Sequence, residues 1–246
     1  MIVDLWLRHP SHRHGHVSDQ ASLVPSPCAD RHRCCRHRTT RASLATTGAD
    51  GRGWSKVWRA YVDESQSNQR LDPHTYLLAA ALIEDEHAAE ARAEIRGLLR
   101  PGQRKLHWRD ESTGFRTWIT KTVAALPALH VVVVRRGHAG EPVERRRRKC
   151  VERLAYELTI RNVLHITAEA RDPRSNVREV RYFDHLRKGR IIDTGMQLDH
   201  VPGPREPLLW IPDAVAGALT AARIGMSEYL DQLDGLVDVV SLDADS

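Results

Sequence analysis

From Ser55 onward the apolar and polar residues fall into regular periods. Residues Val57 to Asp63 alternate: Val57, Arg59, Tyr61 and Asp63 share one face, and Trp58, Ala60, Val62 and Glu64 share the other, which predicts a strand. A polar turn, Ser65 to Pro73, leads to an apolar run, Tyr76 to Ile83, so the two strands are expected to form a hairpin. Glu84 to Leu99 reads as a helix stopped before Pro101-Gly102, and Lys105 to Trp108 as a short strand. Phe115 to Leu126 is helical, and His130 to Arg135 holds four consecutive valines, the pattern of a central strand buried on both faces.

Glu141 to Asn162 predicts the clearest helix, with Val143, Cys150, Leu154 and Leu158 along one side. In the strand His165 to Arg171, Ile166 and Ala168 face one way, Thr167 and Glu169 the other. A helix over Pro173 to Lys188, a strand over Met196 to Val201 and a helix over Pro207 to Arg223 follow, with a last apolar piece at Leu236 to Leu242. Two early strands followed by strand–helix alternation predict an α/β fold with a mixed sheet and helices on its faces.

Residues 1–54 have neither period after MIVDLWL. They carry eight of the arginines and six of the histidines with little apolar surface, so a disordered Arg/His-rich extension is expected ahead of one domain, 55–246. Cys28, His32, Cys34, Cys35 and His37 could ligate zinc, but their spacing is not the paired C-x2-C of structural zinc sites. The extension also holds most of the net charge of +5, so basicity alone is weak evidence for a nucleic-acid partner. The longest apolar run, Leu77 to Ile83, is far short of the roughly 20 residues that span a bilayer, and MIVDLWLRHP is too short and too charged for a signal peptide. A cytoplasmic protein without a membrane partner is expected. G-x-G occurs only at Gly51-Arg52-Gly53, not after a strand, so no dinucleotide site is expected.

Three acids occupy unusual places: Asp63 at a strand end, Glu169 inside a strand, and Asp213 near the start of a helix that continues with Ala216, Gly217 and Thr220. Small residues let that helix approach the sheet, and three carboxylates converging on one sheet edge suit Mg²⁺ or Mn²⁺, which prefer oxygen ligands and can activate water against a phosphodiester. Singly, each acid has a plain structural explanation: a polar turn, a cross-strand partner or a helix-dipole complement.

Asp63-Glu64-Ser65 before the apolar run Tyr76 to Ile83, then Lys105-Leu106-His107, then Ile211-Pro212-Asp213-Ala214-Val215-Ala216-Gly217, resemble in order the motifs of the family called domain of unknown function 3800. The resemblance spans about residues 57–225. It implies a ribonuclease-H-like fold and a metal-dependent nuclease whose acids are Asp63, Glu169 and Asp213, with His107 as a possible phosphate or proton partner. Gln66 stands where the family usually has Gly, and Pro212 where it has a small residue. Asp172 is the alternative middle acid.

In the basic run 145–149, Arg145, Arg146, Arg148 and Lys149 are candidate nucleic-acid contacts, although five consecutive helical residues cannot all face one ligand. Trp54, Trp58, Trp108, Trp118 and Trp210 could stack bases or fill the core. The competing reading is a non-catalytic nucleic-acid- or protein-binding module on the same fold.

Overall fold

The computed structural model describes residues 56–243. The zinc candidates and Trp54 lie outside the described residues. The alternating segment forms β1 (Trp58–Gln66) and the apolar run forms β2 (Thr75–Glu84). They pair as the expected antiparallel hairpin, Trp58 opposite Glu84 and Gln66 opposite Tyr76. β3 (Ala128–Arg136) pairs antiparallel with β2, and Val131 to Val134 are buried as a central strand requires. β4 (His165–Glu169) adds in parallel to β1, β5 (Gln197–Val201) in parallel to β4, and β6 (Val237–Leu242) in parallel to β3. The resulting order is β5-β4-β1-β2-β3-β6.

Helices cover both faces, and the period of two in β2 assigns its residues between them. Leu77, Ala79, Ala81 and Ile83 join Tyr61 under α1 (Ala88–Gly97), α2 (Thr113–Ala125), α5 (Trp210–Arg223) and the short α6 (Glu228–Asp231). Leu78, Ala80 and Leu82 join Ala60 and Val62 under α3 (Val143–Thr159) and α4 (Pro173–Lys188). A fully buried Leu, Ile or Val stabilises by about 1.5–3 kcal/mol, so β2, buried along its whole length, anchors both layers. The molecule is an α/β fold, a mixed six-stranded sheet with helices on both faces.

Three local expectations change. Lys105 to Trp108 is not a strand: both edges of β1 are already paired, and the segment instead buries Leu106 and Trp108 in the α5 layer before a 3₁₀ turn at Trp108–Asp110. The helix expected from Glu84 starts late, because Glu84 still belongs to β2 and the Asp85 N–H donates to the Val57 carbonyl at 2.9 Å; a 3₁₀ turn (Asp85–His87) precedes α1. The last long helix likewise opens with a 3₁₀ turn (Pro207–Leu209), which puts Asp213 in the first turn of α5. Among the described residues, no helix is long and apolar enough to cross a membrane.

Candidate active site

Register brings two of the acids together. Val62 of β1 pairs with Ala168 of parallel β4, so the next residues, Asp63 and Glu169, lie side by side on adjacent strands. Val62 and Ala168 face the α3 layer, which turns Asp63 and Glu169 to the α5 face. β1 does not end at Asp63 as its sequence suggests, but runs three residues further, so the acid is supported on both sides by ladder.

α5 supplies the third acid. Asp213 to Ala218 are all buried, and their small side chains let the helix lie directly on β1 and β2. Gly217 makes the closest approach: a Cβ there would stand 2.3 Å from the Trp108 indole. With Trp108 seated on that glycine, its backbone N–H donates to Asp213 Oδ2 at 2.8 Å. His107, half-exposed, places Nδ1 3.6 Å from the same oxygen. Lys105, two residues earlier, donates from Nζ to both oxygens of Glu169, at 2.7 and 2.6 Å. The irregular segment 105–108 thus touches two of the acids. All three acids, Lys105 and His107 line one open cleft of about 250 Å³, together with Glu64, Arg147, Arg171 and Glu179.

The acids oppose one another. Burial pushes the Asp63 carboxyl well above its ordinary value, and the neighbouring Asp213 and Glu169 charges push the same way; Lys105 and the Glu64 N–H pull weakly against them. Burial also raises Asp213, against the Trp108 N–H, His107 and Lys105. Two like unit charges about 5 Å apart repel by about 3 kcal/mol at an effective dielectric near 20. Three carboxylates facing one ammonium therefore form a cluster short of positive charge. Its donor set, oxygens only, fits a hard divalent cation, with Asp63, Asp213 and Glu169 as the residues that would hold it.

The opposite wall is an ion-pair network. Arg147 donates from Nε to Glu64 Oε2 at 2.6 Å and from Nη2 to Glu179 Oε1 at 2.9 Å. The Tyr76 hydroxyl donates to Glu64 Oε2, and His200 Nε2 lies 2.9 Å from Glu179 Oε2. Burial alone would raise Glu179, but His200 and Arg147 outweigh it and hold the carboxylate below its usual range. Arg171 bridges Glu144 at 2.6 Å and lies 3.7 Å from Glu64. Glu64, on the face away from Asp63, forms part of this wall.

The basic run divides as helix geometry demands. Arg146 is buried, with Nη2 donating to the Glu141 carbonyl, so it is not presented to a nucleic acid; this corrects its place among the candidate contacts. Arg145 is exposed, 3.7 Å from Glu141. Arg148 lies over the Tyr182 ring and, unlike Arg147, does not reach the carboxylate cleft. Lys149 is half-buried on the same helix. Arg147, not among the candidate contacts, stands in the apolar stripe, four residues after Val143 and three before Cys150, where a charge needs a buried partner.

Asp172 caps α4, its Oδ1 accepting from the Ser175 N–H at 3.0 Å, and does not line the cleft. Trp108 and Trp210 are buried, the first edge-on to Tyr229 and the second donating to the Gly203 carbonyl; Trp58 packs against the α3 layer, and Trp118 is exposed on α2. Among the described residues, one trio of ligating side chains has its atoms within 4.8 Å of one another: Glu84, Glu86 and His87, at the end of β2 away from the cleft and in the turn that follows it. Asp63, Glu169 and Asp213 do not form such a trio, and Lys105 is held against Glu169.

A scan against protein-family models finds no match, and a search of curated proteins finds none. Among solved structures, the chain is similar to a mutant of Bst-RNase HIII, with 15% sequence identity and a TM-score of 0.42 over 73% of this chain and 54% of that one. The chain thus spans about half the length of that structure, and a likeness of this degree carries no argument about chemistry.

Proposed function

We propose that the chain is a divalent-metal-dependent nuclease and a member of the family called domain of unknown function 3800. One observation carries this reading: three carboxylates from three separate elements, Asp63 on β1, Glu169 on β4 and Asp213 on α5, line a single open cleft. A folded protein rarely gathers buried like charges without a use for them. Mg²⁺ or Mn²⁺ bound there would activate water and stabilise charge on a phosphodiester.

The chain's own residues divide the remaining work. Asp63 and Asp213 hold positive charge at the reacting phosphate. The Trp108 N–H fixes the orientation of Asp213. His107, open to solvent beside Asp213, can carry a proton between the cleft and bulk water. Arg171 and the anchored Arg147 stand where a nucleic-acid backbone entering the cleft would need cations.

Single- and double-stranded RNA and DNA oligonucleotides, incubated with the protein and Mg²⁺ or Mn²⁺, test the proposal. Cleavage of at least one class is expected, with Asp63→Asn lowering the rate by about a thousandfold, about 4 kcal/mol of barrier. Equal cleavage by wild type and Asp63→Asn would refute it. Metal-independent binding without cleavage would favour the non-catalytic module.

A further inference from the structure

Lys105 is a cation built into the carboxylate cluster. Its Nζ engages both oxygens of Glu169, and the two side chains are only 19% and 24% exposed. Both ends of the contact are braced. Behind Glu169 stands Gly203, so close that a Cβ there would meet Oε1 at 2.5 Å. Behind Lys105, Leu106 is buried and the Trp108 N–H is fixed on Asp213. The ammonium also sits near enough to Asp63 and Asp213 to favour the charged form of each.

Resting on the nuclease reading above, and on the general two-cation clamp that stabilises the attacking and leaving oxygens of a phosphodiester, we propose that Lys105, paired with Glu169, supplies one of the two cations, leaving a single divalent ion to be held by Asp63 and Asp213. An ammonium is a compact point charge with three donors, so it can neutralise Glu169 and still donate to a phosphate oxygen of the substrate. It has no ligand shell to complete, which matches its seat against a single carboxylate, Glu169. It cannot acidify a bound water as a metal does, so water activation stays with the Asp63–Asp213 side of the cleft.

The stoichiometry of Mn²⁺ binding to the whole chain tests this, measured by calorimetry and by the loss of free-ion electron paramagnetic resonance signal. The double variant Asp63→Asn/Asp213→Asn sets the background. Wild type is expected to bind one ion more than the background, Lys105→Met and Lys105→Gln two more, and Lys105→Arg one more. Two extra ions in the wild type, or only one in both Lys105→Met and Lys105→Gln, would overturn the proposal. A wild type equal to the background would overturn the metal-site reading itself, and the role of Lys105 with it. Circular dichroism melts identify a variant that fails to fold, and the two neutral replacements keep the test usable if one does.

Discussion

The backbone N–H of Trp108 donates to Oδ2 of Asp213 at 2.8 Å, across 105 residues of sequence. The bond exists because the Trp108 ring rests on Gly217, one turn further along α5. Gly217→Ala puts a methyl group where the ring lies. The indole is rigid and cannot yield at its tip, so the substitution should destabilise by about 1–3 kcal/mol. It should also weaken Mn²⁺ binding, because the N–H that orients Asp213 moves with the ring. Urea denaturation and a metal titration on the same variant check this; unchanged values in both would show that the close approach is not needed.

Gly203 does the same for Glu169, from the loop after β5. Here the obstructed atom is a carboxylate at the end of a side chain, which can swing away from Lys105. Gly203→Ala should therefore cost less than about 1 kcal/mol of stability while lowering the cleavage rate. Loss of stability without loss of activity would contradict this.

Acid should help the metal-free protein through Asp63. Its folded pKa lies well above the unfolded value of about 4, because the folded carboxyl is buried and faces Asp213 and Glu169. The folded state binds that proton more tightly, so stability falls as pH rises from about 4 through the folded pKa and is regained on acidification through the same window. Urea midpoints at a series of pH values in EDTA should show this component in wild type and not in Asp63→Asn. The same pH slope in both proteins would contradict the assignment.

Within the basic run, position decides the effect. Arg147 is the buried partner of Glu64 and Glu179, so Arg147→Met removes the cation they share; with Arg171 still near Glu64 and His200 beside Glu179, the cost should be about 2–4 kcal/mol. Arg145 is exposed, and Arg145→Ala should stay within about 0.5 kcal/mol of wild type. Chemical denaturation of the two variants should separate them clearly.

Much of this arrangement is legible in the sequence because it depends on local period. Alternation in residues 57–63 and 165–169 assigns Asp63 and Glu169 to their faces, and the small residues after Asp213 announce a helix lying close on the sheet. What is not legible depends on long-range pairing. Whether Lys105 to Trp108 forms a strand turns on whether any sheet edge is open to it, and none beside β1 is. The contact of Lys105 with Glu169 spans 64 residues and appears only once β4 is seated beside β1. The choice of Glu169 over Asp172 was open for a related reason: the Asp-Pro-x-Ser spacing that makes Asp172 a helix cap is local, but an acid in that position reads equally well as a ligand.

Calorimetric titration of Mn²⁺ into wild type, Asp63→Asn and Asp213→Asn tests most directly whether acids from β1 and α5 serve one metal site. Saturable binding in the wild type, lost in each single variant, is the predicted result. Binding that survives in both variants, as it would if the ion sat instead at Glu84, Glu86 and His87, would contradict it.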